Sequence, residues 1–203
     1  MKTIISDTNE VLRQAAEHIK RVLAEKPDAV LALSAGRTMA PLFDELARLC
    51  AGGELSLEQA RVFAVTEFDG GPEALSCRRA LEEGLVARTD LSGANCAFLS
   101  RENLADYDAL IARAGGIDLA VLGIGDNAHI GFNEPATPFE SFTHAQKLSP
   151  ATRRQYAGRF GGEEQVPEYA LTMGIKTITA ARDRDRNLRI MLRFFILGYL
   201  QFF

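Results

Sequence analysis

The sequence predicts an α/β fold in which a mainly parallel β-sheet is covered by helices on both faces. Short apolar runs rich in branched residues alternate along the chain with longer segments of helical periodicity. The short runs are apolar on both faces, which is typical of parallel strands buried between two helix layers. The 203 residues suffice for one sizeable core, and no repeat or low-complexity linker divides them.

The first elements are a helix, a strand and a second helix. Asp7 and Thr8 can cap a helix whose apolar residues recur at helical spacing over 11–23. The run AVLALS (29–34) predicts a buried strand, because it is short, apolar and followed by small polar residues. The segment APLFDELARLC (40–50) then returns to helical periodicity.

The same alternation continues through the middle of the chain. RVFAVT (61–66) is β-branched and aromatic and predicts the next strand, and ALSCRRALEEGLVAR (74–88) predicts a helix. CAFLS (96–100) is a weak strand, LADYDALIARA (104–114) a helix, and IDLAVLG (117–123) a buried strand. Such a sheet binds its ligands beyond the carboxyl ends of its strands.

Three segments rich in glycine and small polar residues follow predicted strands. They are SAGRT (34–38), TEFDGG (66–71) and GIGDNAHIGFNEPATPF (123–139). Because parallel strands end at the same edge of a sheet, we expect these segments to form one site.

The last of these segments allows several interpretations. Gly123, Gly125 and Ala128 match a loose dinucleotide-binding fingerprint. That fingerprint needs a helix to begin at once, and Gly131 and Pro135 interrupt it. A nucleotide site is therefore disfavoured.

A metal site is disfavoured too, and no metal ligands are predicted. Only His129, Glu134 and the distant His144 are available, without a recognised metal-binding spacing. His129 could be an ordinary hydrogen-bonded loop residue. An imidazole close to a carboxylate at a strand end also suits proton transfer near neutral pH.

The stretch GIGDNAHIGFNEPATPFESFTH (123–144) resembles the signature of glucosamine-6-phosphate deaminases, also called isomerases, and of their galactosamine-6-phosphate relatives. Three further segments agree in order: LALSAGRTMAPLFDEL (31–46), RVFAVTEFDG (61–70) and VPEYALTMGIKTITAAR (166–182). The resemblance covers about residues 10–182. It implies a Rossmann-like three-layer sandwich that converts glucosamine 6-phosphate or galactosamine 6-phosphate to a ketose 6-phosphate and ammonia, with no cofactor.

The resemblance also assigns catalytic roles. His129 matches the histidine that moves a proton at the ring oxygen, and Glu134 the carboxylate that orients it. Asn127 stands where many members have aspartate. Thr66 falls at the position of the aspartate that serves as base for the C2 proton, with Glu67 on its acidic neighbour. A threonine hydroxyl is a poor base, so activity would be weak unless Glu67 or Asp69 reaches the substrate. Glu67 could equally form a structural ion pair.

For the substrate's phosphate, the resemblance indicates the loop after the first strand. Ser34, Gly36, Arg37 and Thr38 could offer backbone N–H groups, a hydroxyl and a cation to an anion. Arg159 lies within about one residue of the family's phosphate-binding arginine.

The resemblance divides the chain into a sugar-phosphate isomerase domain (1–182), incomplete at its C-terminal end, and a divergent apolar tail (183–203). The family continues with a strand and a phosphate-binding lysine, whereas no lysine follows Lys176 here. The apolar run IMLRFFILGYLQFF is too short to span a bilayer and contains Arg193. We expect a truncated or frame-shifted end and no membrane anchor.

Composition limits partners and location. The formal net charge is -4 and the basic residues are scattered, so no nucleic-acid surface is predicted. The first residues lack a signal peptide and the three cysteines form no CxxC pair, which predicts a cytoplasmic protein. The expected partner is a small sugar phosphate, and a homo-oligomer stays open.

Two other functions remain. A 6-phosphogluconolactonase-like hydrolase would share the fold. A catalytically weak or inactive sugar-phosphate-binding remnant is suggested by Thr66 and by the C-terminal end.

Overall fold

The computed structural model describes residues 8–36, 39–125, 127–181 and 189–192. The α-helices in these ranges are α1 (Thr8–Glu25), α2 (Ala40–Ala51), α3 (Cys77–Gly84), α4 (Tyr107–Arg113), α5 (Pro150–Phe160) and α6 (Ile175–Thr179). The strands are β1 (Val30–Leu33), β2 (Arg61–Ala64), β3 (Thr66–Phe68), β4 (Cys96–Ala97), β5 (Leu119–Gly123), β6 (His144–Lys147), β7 (Tyr169–Thr172) and β8 (Arg189–Leu192).

The predicted α/β fold with a mainly parallel sheet is confirmed. The larger sheet has five strands in the order β4, β2, β1, β5 and β8, and every neighbouring pair is parallel. Alternate residues of β1 point to opposite faces, because side chains of a strand alternate. Leu31 and Leu33 pack with α1 and α2, whereas Val30 and Ala32 pack with α4 and α6. Helices therefore cover both faces of the sheet.

A second, antiparallel sheet was not predicted. It has three strands in the order β3, β7 and β6. The predicted strand 61–66 is divided between the two sheets at Val65. The amide of Val65 donates to Leu33 in the parallel sheet, at 3.1 Å, while its carbonyl accepts from Met173 beside the antiparallel sheet, at 2.8 Å. This division carries Thr66 past the end of the parallel sheet.

Three predicted elements are shorter than the sequence suggested. The helix predicted at 74–88 contains only α3 as regular α-helix, because the Ser76 hydroxyl caps it by accepting from the amide of Arg79 at 3.0 Å. The helix predicted at 104–114 begins as a 3-10 turn before α4. The strand predicted at 96–100 is limited to the two residues of β4.

The C-terminal end contributes one described element. Strand β8 pairs in parallel with β5 and forms the edge of the larger sheet. Residues 182–188 and 193–203 lie outside the described residues, so the boundary at residue 182 stays a prediction.

Candidate active site

A cavity opens at the carboxyl ends of β1 and β5, where the three glycine-rich segments meet. The loop after β1 contributes Ser34 and Gly36, strand β3 contributes Thr66, and the segment after β5 contributes His129. Helix α5 closes another side with Arg159. The remaining lining residues are Ala35, Met39, Phe68, Cys77, Gly123, Ile124, Gly125, Gly131, Phe132, Gln155 and Tyr156.

A chain of hydrogen bonds runs from the imidazole at this cavity to a carboxylate. Nδ1 of His129 lies 2.7 Å from Oδ1 of Asn127, and Nδ2 of Asn127 donates to Oε2 of Glu134 at 2.9 Å. An ionised carboxylate only accepts, so the amide must present its NH2 group to Glu134 and its oxygen to His129. Nδ1 therefore carries a proton, and Nε2 is the unprotonated nitrogen of the neutral ring.

Glu134 is ionised in this arrangement. Burial alone raises the pKa of this carboxyl, but hydrogen bonds from Thr152, Ser149 and Asn127 outweigh it and lower the pKa below its ordinary value. Oε1 accepts the backbone amide of Ser149 at 2.8 Å, just before α5 begins. The N-terminus of a helix favours negative charge, which adds to this stabilisation.

Backbone conformation brings the imidazole to the cavity. The amide of Gly125 donates to the carbonyl of His129 at 2.9 Å, which closes a tight turn. Ala128 adopts a left-handed conformation in this turn, with φ of 66°. A Cβ at Gly125 would lie 2.1 Å from the His129 ring, so only glycine lets the ring take this position.

Glu67, which the resemblance suggested as a replacement base, is not among the residues that line the cavity. Its carboxylate accepts three backbone amides: those of Phe68 and Cys77 on Oε1 and that of Arg78 on Oε2, each at 2.8 Å. The side chain leaves β3 on the face opposite to Thr66 because neighbouring strand residues alternate. Glu67 thus caps the N-terminus of α3, where the sequence had suggested an ion pair or a base.

Thr66 does reach the cavity, and its hydroxyl lies 3.6 Å from the Cys77 thiol. Burial raises the pKa of that thiol to about 12, so it is protonated. The nearby Asp69 forms a bidentate ion pair with Arg101. Among the lining residues that the structure describes, none carries a carboxylate.

The predicted phosphate-binding residues are only partly within the described ranges. Ser34 is 8% exposed, and its hydroxyl has no hydrogen-bond partner in the described part of the chain. Arg159 enters from α5, donates from Nη2 to the carbonyl of Leu75 at 2.6 Å, and lies over the ring of Phe68. Arg37 and Thr38 lie outside the described residues.

Sequence reasoning did not identify Tyr156, Gln155 or Cys77 as lining residues. Helix α5 could have been found from Ser149 and Pro150, a capping serine before a proline at the first helical position. Its mixed polar sequence shows no clear apolar face, so its contact with the cavity depends on tertiary packing.

Within the part of the chain that the structure describes, no group of three or more His, Cys, Asp or Glu side chains is placed to hold a metal ion. In the same ranges, no helix combines the length and apolar character needed to cross a membrane.

The sequence of this chain is similar to those of known proteins. Residues 6–184 match the family of glucosamine-6-phosphate isomerases/6-phosphogluconolactonase. A glucosamine-6-phosphate deaminase of Bacillus pumilus is 39% identical over 186 residues, which cover 87% of this chain and 76% of the relative. One of Mycolicibacterium smegmatis is 37% identical over 190 residues, covering 88% of this chain and 72% of the relative.

Solved structures give the same result. The structure of a monomeric glucosamine-6-phosphate deaminase is 32% identical, with a TM-score of 0.85 over 89% of this chain and 79% of the other. A 6-phosphogluconolactonase of Thermotoga maritima is 18% identical, with a TM-score of 0.67 over 88% of this chain and 79% of the other, and shares the fold alone. The chain belongs to the glucosamine-6-phosphate isomerase/6-phosphogluconolactonase family.

Proposed function

We propose that this chain converts glucosamine 6-phosphate to a ketose 6-phosphate and ammonia. The observation that carries this proposal is the hydrogen-bonded series that begins at the cavity with His129 and runs through Asn127 to Glu134. The relatives named as glucosamine-6-phosphate deaminases support it, because they are more than 35% identical over most of the chain.

Opening of the sugar ring is the first step that these residues support. Nδ1–H donates to Asn127, so Nε2 of His129 is the atom that receives a proton from the anomeric hydroxyl and returns one to the ring oxygen. Glu134 holds the amide of Asn127 in the orientation that keeps this tautomer. The roles of these three residues are part of the proposal.

The phosphate group would bind between the β1 loop and α5. A buried hydroxyl without a partner is unfavourable, and a phosphate oxygen would supply the missing bond to Ser34. Gly36, with φ of 134° and open space around its α-carbon, lets the backbone approach an anion. Arg159 supplies positive charge on the other side.

Transfer of the C2 proton is the slow part of the proposed reaction. By the resemblance, Thr66 stands where the family has its catalytic aspartate. The carboxylate of Glu67 is bonded to the backbone amide of Cys77, and that of Asp69 is bonded to Arg101. General-base catalysis contributes roughly 10²- to 10⁴-fold. We therefore expect a slow deaminase.

The test is release of ammonia and ketose 6-phosphate from glucosamine 6-phosphate, with galactosamine 6-phosphate measured in parallel to identify the preferred sugar. His129→Ala should abolish release. His144→Ala is the matched control, because His144 lies on β6 and bonds to Phe142 and Gln146 away from the cavity. Equal loss in both variants, or no release by the parent, would contradict the proposal.

Lactone hydrolysis is a second candidate, favoured by the lack of a carboxylate among the described lining residues. Attack of water on a lactone needs one base, which His129 could supply. Hydrolysis of 6-phosphogluconolactone by the parent, without ammonia release from either amino sugar, would select it. If the chain binds these sugars and catalyses neither reaction, it is a sugar-phosphate-binding remnant.

The proposal places the protein in the cytoplasm, consistent with the three free cysteines. Light scattering of the purified chain tests whether it forms a homo-oligomer.

A further inference from the structure

The proposed reaction has two proton transfers, and the described residues of the cavity support one of them better than the other. His129 is 4% exposed, and its imidazole is fixed by a hydrogen bond with Asn127. The resemblance implies that C2 of the substrate would lie near Thr66. The described lining residues there provide the hydroxyl of Thr66 and the protonated thiol of Cys77. Ring opening therefore has an oriented proton carrier, His129. Among the described lining residues, none of comparable basicity serves transfer of the C2 proton.

Ring opening requires only the first of these. The anomeric oxygen and the ring oxygen of a pyranose are bonded to the same carbon, so one nitrogen can reach both. Nε2 takes the proton of the anomeric hydroxyl, the bond from C1 to the ring oxygen breaks with its electron pair going to that oxygen, and Nε2 returns the proton there. C1 becomes an aldehyde, and closure on its other face gives the opposite anomer.

We propose that this cavity interconverts the anomers of hexose 6-phosphates that lack the 2-amino group, as an activity separable from deamination. This inference rests on the proposed function, because the same His129 would open both kinds of ring. It goes further in substrate class, since the steps above use no atom of the substituent at C2. The phosphate anchor at Ser34 and Arg159 is likewise indifferent to that substituent.

The experiment measures exchange of magnetisation between the α and β anomeric carbons of C1-labelled glucose 6-phosphate, by NMR, with the full chain present. We expect the exchange added by the parent to be reduced by about 10²-fold or more in His129→Ala, the scale of general acid–base catalysis. His144→Ala should retain the parent rate. His129→Gln is the second variant, since it keeps a polar group in the buried position.

Circular dichroism and calorimetric binding of glucose 6-phosphate establish that each variant is folded and binds the probe. Ammonia release from glucosamine 6-phosphate is measured on the same samples. Parent exchange no faster than that of folded, binding His129→Ala or His129→Gln would overturn this inference, whether or not ammonia is released. Exchange that depends on His129, without ammonia release, would support the anomer interconversion. The same result would contradict the proposed deaminase activity.

Discussion

The side-chain oxygen of Asn127 lies 2.7 Å from Nδ1 of His129, and the ionised carboxylate of Glu134 fixes the orientation of that amide. The imidazole therefore bonds to the neutral amide of Asn127, and the negative charge lies beyond that amide, on Glu134. A neutral acceptor selects the tautomer but supports the imidazolium ion less than a carboxylate would.

Asn127→Asp should consequently favour the imidazolium form of His129, because a carboxylate would then contact Nδ1 directly. The acid limb of the pH profile should move to higher pH with it. Titration of the His129 ring protons by NMR checks this shift. An unchanged titration would mean that the amide does not face Nδ1.

Ala128→Gly should stabilise the protein. A left-handed residue with a Cβ is strained by roughly 1–2 kcal/mol, while glycine loses more chain entropy on folding, so a net gain of about 0.5–1 kcal/mol is expected. Denaturant unfolding measures it. Ala112→Gly in the exposed part of α4 is the matched control and should destabilise, because its backbone is helical. The same sign for both variants would contradict the strain at φ of 66°.

Glu67→Gln distinguishes a role of Glu67 as the cap of helix α3 from a role as the catalytic base. One amide oxygen cannot replace two carboxylate oxygens that accept three backbone amides, so the free energy of unfolding should fall by about 1–2 kcal/mol. The kcat of the folded fraction should stay within a few-fold of the parent. A loss of kcat near 10²-fold with unchanged stability would restore Glu67 as the base.

Acid should weaken the fold through Glu134. Its folded pKa is lowered, so its contribution to stability is present above the unfolded value of about 4.3 and disappears as pH falls through the folded pKa. The difference in unfolding free energy between the parent and Glu134→Gln should thus be largest near neutrality and shrink towards pH 3. Glu140→Gln, at an exposed ion pair with Lys176, is the control and should show a much smaller difference. A Glu134→Gln difference independent of pH would contradict the ionised carboxylate.

The sequence predicted the parallel sheet because strands buried on both faces, such as β1 and β5, are apolar throughout. It did not predict the antiparallel sheet, whose strand β6 is largely polar and only partly buried. The position of the Glu67 side chain was not predicted, for a related reason. Its neighbour Thr66 stands at the position of the family's catalytic aspartate. Strand alternation and the backbone amides of α3 determine that Thr66, and not Glu67, faces the cavity.

Ser34 and Arg159 were predicted from the resemblance, and the structure places both at the cavity that contains His129. The role of Asn127 as a link between His129 and Glu134 could not be deduced from spacing alone. It depends on the turn closed between Gly125 and His129 and on the hydrogen bond from Asn127 to Glu134.

We propose that this chain has the ring-opening residues of an amino-sugar-phosphate deaminase and a weak base at residue 66. Ammonia release by Thr66→Asp, beside Thr66→Asn as a control of similar size, tests this proposal. The carboxylate variant should exceed the parent by at least tenfold and up to the roughly 10²- to 10⁴-fold of general-base effects, while the amide variant should not. Calorimetric binding of glucosamine 6-phosphate to each protein shows whether the site is intact. A Thr66→Asp protein that binds this substrate as well as the parent and releases ammonia no faster would contradict the claim.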